Sequence, residues 1–115
     1  GSIKKALKGN YTVISIEADK NLWNKLSRYK KDLDIVFNIA EGIKGVWREA
    51  LVPMMLEELG IPYTGSDPST LILCLNKERT KQILSYYKIR HPLYKLFSDV
   101  PELTVKEISP LEFPL

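Results

Sequence analysis

The chain has 115 residues, and its 17 Lys and Arg exceed its 14 Asp and Glu to give a formal charge of +3. A hydrophobic fraction of 44% and a charged fraction of 27% are typical of a folded globular domain and argue against a disordered or fibrous chain. The longest unbroken apolar run, residues 71–75, is too short to span a membrane, which takes about 20 residues. We therefore expect no membrane insertion.

The positive charge is too small and too dispersed to indicate a nucleic-acid interface. Lysines adjoin one another only at Lys4-Lys5 and Lys30-Lys31, whereas nucleic-acid binding needs clustered basic side chains that face phosphates. The single cysteine, Cys74, cannot form an internal disulfide, which fits a reducing compartment. We expect a cytoplasmic protein that binds no nucleic acid.

Helical patterns alternate with short apolar stretches along the chain. A first helix at residues 3–7 is predicted to end before Gly9, since glycine commonly terminates helices. A second helix is capped by Asp19 or Asn21 and repeats its apolar residues at spacings of three and four. The predicted core face of this second helix consists of Leu22, Trp23, Leu26 and Tyr29.

A third helix is predicted from about Glu49 to Leu59. Gly60 is its stop signal, and Pro53 is expected in the first turn, where the missing N–H of proline matters little. The predicted apolar side of this helix consists of Ala50, Leu51, Met54, Met55 and Leu59.

Two further helices follow in close succession. Ser66 or Asp67 stands before a proline, and this pairing of a capping oxygen with proline predicts a helix over residues 68–75. Asn76 is the predicted cap of a fifth helix, over residues 77–87.

Strands are predicted in four stretches rich in β-branched or aromatic residues. In the second stretch the apolar residues run continuously, as expected where both faces of a parallel sheet are covered. Strands alternating with helices predict an α/β fold, a small parallel-sheet layer flanked by helices over residues 3–97, followed by a linker at 98–115. The four predicted strands are Tyr11 to Ile16, Asp34 to Ile39, Ile61 to Thr64 and Leu93 to Phe97.

A ligand site is expected where loops meet the carboxyl ends of the predicted strands. Three segments qualify, at residues 17–19, 38–45 and 63–67. The second of them joins the carboxylate of Glu41 to Gly42, which lets the backbone approach a ligand closely. The alternative interpretation of this segment is a flexible loop without a ligand.

The remaining reactive side chains are not predicted to act in catalysis. His91 adjoins a proline at a predicted strand start, which favours a surface role. Cys74 lies in an apolar helical stretch and is predicted to be a buried, inert thiol. We identify no metal-ligand cluster, no Ser-His-Asp arrangement and no GxxxxGK[ST] phosphate motif in the sequence.

Three runs in the middle of the chain carry a family resemblance. They are FNIAEG at residues 37–42, REA at 48–50 and LEELGIPYTGS at 56–66. Together they resemble the N-terminal domain of D-alanine-D-alanine ligase and its relatives in the ATP-grasp superfamily. The resemblance continues through Lys77 and covers about residues 34–97. It implies a pre-ATP-grasp, Rossmann-like N-terminal domain.

The resemblance implies an ATP-dependent enzyme that joins a carboxylate to an amine through an acyl phosphate, with ATP and magnesium as cofactors. It places Glu41 and Gly42 at the binding site of a small amino-acid or peptide substrate, and Lys77 at the nucleotide. Glu41 stands where the ligases have histidine, and Asn76 where they have aspartate. A carboxylate at this position favours a cationic group on the substrate.

The resemblance also implies that the chain is the N-terminal piece of such a ligase, incomplete at both ends. We expect the first strand and its glycine-rich loop to precede it and the ATP-grasp domain to follow it. No catalytic residue is then expected in this chain, which alone should be inactive. A missing first strand would leave a sheet edge exposed, and an exposed edge favours a homodimer.

Two alternatives stay open on the sequence. One is a non-enzymatic α/β module that binds a small ligand or a partner and has kept the fold without the chemistry. The other is a flavodoxin-like or response-regulator-like domain. A response regulator gathers acidic residues at its strand ends, where only Glu17, Asp19 and Glu41 are available.

Overall fold

The computed structural model describes residues 1–42 and 44–97. The chain divides into two compact units, the first over Gly1–Ile72 and the second beginning at Leu73. The five α-helices predicted from the sequence are confirmed. None of the helices in the described residues is long and apolar enough to cross a membrane. In chain order they are α1 (Ser2–Leu7), α2 (Leu22–Tyr29), a 3-10 turn (Lys30–Asp32), α3 (Leu51–Leu59), α4 (Pro68–Leu75) and α5 (Lys77–Tyr86).

Local signals fix the ends of the later helices as predicted. Gly60 ends α3 in the left-handed conformation, with φ at 64°. Before α4, Asp67 Oδ1 accepts the backbone N–H of Thr70 at 3.0 Å. Before α5, Asn76 Oδ1 accepts the backbone N–H of Arg79 at 3.0 Å. Each cap satisfies an N–H of the first turn that has no partner within its own helix.

One apolar cluster forms the core of the first unit. It joins α2 to α3, which pack against each other, and its most buried member, Leu56, has no exposed surface. The buried cluster consists of Leu22, Leu26, Val52, Leu56 and Ile61. Partly buried side chains surround it, namely Ile16, Leu33, Val36, Ala40, Met55, Leu59 and Tyr63.

The predicted core face of α3 was partly wrong. The predicted apolar side includes Leu51 and Met54, but they are 43% and 40% exposed. Val52 and Leu56, four residues apart, are buried in their place. Because this helix is apolar on nearly every side, its own periodicity does not select a face. Packing against α2 determines which side chains of α3 are buried.

The predicted parallel-sheet layer was wrong, and with it the Rossmann-like domain. No β-strand occurs in residues 1–42 or 44–97, and the strand-like pairing found there is an isolated parallel bridge between Val36 and Tyr63. The N–H of Val36 donates to the carbonyl oxygen of Pro62 at 2.8 Å, and the N–H of Thr64 donates to that of Val36 at 2.9 Å. The predicted linker at 98–115 lies outside the described residues, and its boundary stays a prediction.

Burial explains why the continuous apolar run did not form a covered strand. Val36 is half-buried against the core, but Ile35, Phe37 and Ile39 are 58%, 51% and 68% exposed. A parallel layer needs cover on both faces, and only one face of this extended segment packs against the protein. The predicted strands at residues 11–16 and 93–97 likewise have no regular secondary structure.

A side-chain hydrogen bond ties the bridge residue Tyr63 to α3. The Tyr63 hydroxyl donates to Glu57 Oε1 at 2.6 Å. This bond raises the pKa of Tyr63 to about 12 from its usual 10.0, because an ionised Tyr63 would lose the bond and face the charge of Glu57.

We expect Glu57→Gln to return the pKa of Tyr63 toward its usual value. Since the pKa of Tyr63 is higher in the folded state, its hydrogen bond to Glu57 stabilises the fold. The contribution of this bond to the free energy of unfolding is complete below about pH 10 and is lost as the pH rises to about 12. Tyrosinate absorbance measured against pH follows all six tyrosines, and Tyr63→Phe identifies the late transition. Glu58→Gln, a charge change on the same helix, is the control. An identical titration curve in Glu57→Gln and the unsubstituted chain would contradict this assignment.

Candidate functional site

A cleft in the first unit brings together two of the three segments that were predicted to form a site. Its volume is about 330 Å³, and it is lined by residues 38–41 and 64–66 together with Glu49 and Leu71. The bridge between Val36 and Tyr63 lies just before both lining segments. Because the bridge is parallel, the two segments leave it in the same direction and run beside one another.

Hydrogen bonds fix the backbone that leads to Glu41. The N–H of Asn38 donates to Thr64 Oγ1 at 3.1 Å, which joins the two lining segments directly. The N–H of Ala40 donates to Asn38 Oδ1 at 3.1 Å, a local turn stabilised by the asparagine side chain. The position of Glu41 is therefore set by a hydrogen-bonded segment.

Two carboxylates, of Glu41 and Glu49, line the cleft, and no lysine or arginine is among the described residues that line it. Glu49 Oε1 lies 3.6 Å from Arg48 Nη2, in an ion pair at the surface. Glu41 is exposed and takes part in neither of the ion pairs found in the described part of the chain. The uncompensated negative charge favours a ligand with a positively charged group.

The sequence did not identify Glu49 as a site residue. It follows Glu41 by eight positions, and the described residues between them, 42 and 44–48, have no helical or strand register that would link the two. The sequence feature that could have identified Glu49 is its position in the run of residues 48–50 that resembles the ligases.

Gly42 shapes the backbone directly after Glu41. Its φ is +69°, in the left-handed region that favours glycine. A Cβ at this position would overlap the carbonyl oxygen of Arg48. Glycine therefore allows the chain to pass close to the turn that precedes α3. The contact of Gly42 with a substrate stays a prediction.

Lys77 lies in the second unit, as the first residue of α5. Its exposed ammonium group donates to the carbonyl oxygen of Cys74 at 2.9 Å. Because the group carries three protons, this bond leaves it able to bind an anion as well. The contact of Lys77 with a nucleotide stays a prediction.

The third predicted segment, residues 17–19, contributes to a different cleft of the first unit. Glu17 lines a space of about 420 Å³ near α2, together with Lys25 and Arg28. Lys25 Nζ donates to the carbonyl oxygen of Glu17 at 3.3 Å and to Asp19 Oδ2 at 2.7 Å. The bond from Lys25 is the main cause that lowers the pKa of the Asp19 carboxyl.

The buried position predicted for Cys74 was wrong, since its side chain is exposed. None of the described residues of α4 is buried. This helix is apolar along most of its length, so composition did not reveal which side chains face outward. His91 is half-buried and forms hydrogen bonds through both ring nitrogens.

Comparisons with known proteins find D-alanine-D-alanine ligases. The chain is 27% identical over 118 residues to D-alanine-D-alanine ligase A of Clostridium perfringens, covering 89% of this chain and 39% of that protein. It is 30% identical over 108 residues to D-alanine-D-alanine ligase A of Bacillus cereus, covering 94% and 35%. It is 34% identical over 105 residues to the uncharacterized protein y4sG of Sinorhizobium fredii, covering 86% and 30%.

No protein-family model matches the chain, and no solved structure matches it. The chain spans about a third of the length of the relatives it matches. The resemblance predicted from the central runs of the sequence is thereby confirmed, and this chain resembles the N-terminal part of a D-alanine-D-alanine ligase.

Proposed function

We propose that this chain is the substrate-side part of an ATP-dependent ligase that joins a carboxylate to an amine. The observation that carries the proposal is its similarity to D-alanine-D-alanine ligases over about nine-tenths of its length. The remaining parts of the site, including the residues that clamp ATP, are assigned in this proposal to an ATP-grasp domain outside the chain.

The proposed substrate is a small amino acid or peptide that binds in the cleft beside Glu41. A volume of about 330 Å³ suits a ligand of this size. In this proposal the exposed carboxylate of Glu41 accepts hydrogen bonds from an ammonium group of the substrate, and Gly42, with φ at +69°, sets the course of the backbone directly after it. The hydroxyls of Thr64 and Ser66, which also line the cleft, are available to hydrogen-bond polar atoms of the ligand.

The chemistry that ATP supplies when bound is phosphorylation of the substrate carboxylate, giving an acyl phosphate from which the amine displaces phosphate. Lys77 fits a phosphate group, because its exposed ammonium lies at the N-terminus of α5, where the helix dipole favours an anion. Across residues 1–42 and 44–97, no three Asp, Glu, His or Cys side chains are grouped to hold a metal ion. We therefore assign no magnesium ligand in this part of the chain.

We expect Lys77→Ala to raise the ATP concentration needed for half-maximal turnover by about 10-fold or more. A hydrogen bond to a charged group contributes about 1.5–3 kcal/mol, and about 1.4 kcal/mol corresponds to a factor of ten. The measurement is the initial rate against ATP concentration, with Arg90→Ala as a control that removes one positive charge elsewhere in the second unit. An unchanged ATP dependence would return Lys77 to the role of a solvated surface lysine.

The experiment that tests the proposed function uses the complete reading frame that contains this chain. ATP hydrolysis is screened against amino acids and dipeptides, and the products are analysed for a new amide bond. Phosphate release that requires an amino acid and accompanies an amide product would support the proposal. A reading frame without an ATP-grasp domain, or a complete protein that binds amino acids without consuming ATP, would replace it with the non-enzymatic binding module.

Location and assembly form part of the same proposal. We place the ligase in the cytoplasm, in keeping with the single cysteine of this chain, Cys74. We also infer a homodimer, in whose interface the exposed apolar side chains of Ile35 and Phe37 would be covered.

A further inference from the structure

A serine and the single histidine of the chain meet at the end of α5. Ser85 Oγ lies 2.6 Å from His91 Nε2, and His91 Nδ1 lies 2.9 Å from the carbonyl oxygen of Pro92. A carbonyl oxygen only accepts hydrogen bonds, so Nδ1 carries the proton. Nε2 of the neutral ring is then the acceptor, and the Ser85 hydroxyl donates to it.

This order of groups is that of an activated nucleophile. A hydroxyl bonds to a base, and a third group orients the base and fixes its tautomer. Ser85 is exposed, so a reagent can reach its oxygen, whereas His91 is half-buried. The ring of Tyr94 packs edge-on against the imidazole, with the ring centroids 6.0 Å apart. The imidazole of His91 is thus held by the carbonyl oxygen of Pro92 and by the ring of Tyr94.

Lys81 brings a positive charge to the same region. It lies four residues before Ser85 on α5, so both side chains are on one face of the helix. Its Nζ lies 4.7 Å from the centroid of the Tyr94 ring, the ring that also packs against His91. An ammonium group on the same helix face as the serine can stabilise the negative charge that develops on a carbonyl oxygen under attack.

We propose that Ser85 and His91 form a nucleophile-base pair that accepts an acyl group from an activated ester. Ser85 Oγ attacks the acyl carbon while its proton passes to His91 Nε2. The ester C–O bond breaks, and the departing oxygen takes that proton from His91 and leaves as an alcohol or phenol. The product is an acyl ester of Ser85, formed without an oxidant or a reductant. The pair lies within the second unit and is independent of the proposed ligase function.

The test incubates the chain with p-nitrophenyl acetate and locates the acetyl groups by peptide mass spectrometry. We expect acetylation of Ser85, and we expect His91→Gln to slow it by about 100-fold, the usual contribution of a general base. Glutamine can still hydrogen-bond to Ser85 but cannot take its proton, so the variant separates a chemical role from a structural one. Ser27→Ala, at an exposed serine of α2, is the control and should leave the rate at Ser85 unchanged.

Ser85→Ala should remove the acetyl group from this peptide and leave the acetylation of lysines unchanged. Circular dichroism of both variants should show the same helix content as the unsubstituted chain. Two results would overturn the proposal: no acetyl group on Ser85 of the unsubstituted chain, or an equal rate at Ser85 in the folded His91→Gln variant. In either case the bond between Ser85 and His91 would be structural alone.

Discussion

Replacing Leu56 by alanine is expected to lower the free energy of unfolding of the first unit by about 2–5 kcal/mol. Leu56 has no exposed surface and lies where α3 packs against α2. The substitution removes buried apolar surface and leaves a cavity that the surrounding side chains fill only in part. Because a domain is typically stable by only about 5–15 kcal/mol, this change should be visible in any unfolding experiment.

Urea unfolding followed by tryptophan fluorescence measures the effect. Trp23 and Trp47 are the two tryptophans of the chain, and both belong to the first unit. The urea concentration at the midpoint should fall while the slope stays unchanged. Met54→Ala, on the same helix at a side chain 40% exposed, is the matched control, with an expected loss of about 0.5 kcal/mol. A loss at Met54 as large as that at Leu56 would contradict the position of the core.

This pair of substitutions also separates what the sequence could predict from what it could not. The C-terminal end of α3 was predictable because Gly60 adopts the left-handed conformation that ends a helix. The start of α5 was predictable because the side chain of Asn76 caps its first turn. The buried face of α3 was not, because apolar residues surround the helix and its partner α2 is distant in sequence. A choice among similar faces depends on tertiary contacts, which a local pattern does not contain.

The missing sheet has a related cause. The apolar, β-branched runs at residues 34–39 and 61–64 predicted strands, but a strand needs consecutive hydrogen bonds to a neighbour. The two segments meet at the single bridge between Val36 and Tyr63. One parallel bridge nevertheless sends residues 38–41 and 64–66 in the same direction, and so these two segments meet at one cleft without a sheet.

In the proposed ligase, Glu41→Gln is expected to lower kcat/KM for amide-bond formation by about 10- to 100-fold. A hydrogen bond between a carboxylate and an ammonium group contributes about 1.5–3 kcal/mol, and about 1.4 kcal/mol corresponds to a factor of ten. Glutamine keeps the size of the side chain and one acceptor oxygen, so the change measures the negative charge. Since Glu41 is exposed and lies in neither ion pair of the described residues, the stability of the fold should change little.

The assay is the initial rate of amide formation at saturating ATP, in the complete reading frame that contains this chain. Glu58→Gln is the matched control, because it removes the same charge from an exposed side chain of α3 that is not among the residues lining the cleft. Equal losses in the two variants would attribute the effect to the net charge of the unit. Equal activity of Glu41→Gln and the unsubstituted protein would refute the role of Glu41. A loss confined to Glu41, expressed mainly as a higher KM for the amino acid, is expected if its carboxylate binds the substrate before the reaction begins.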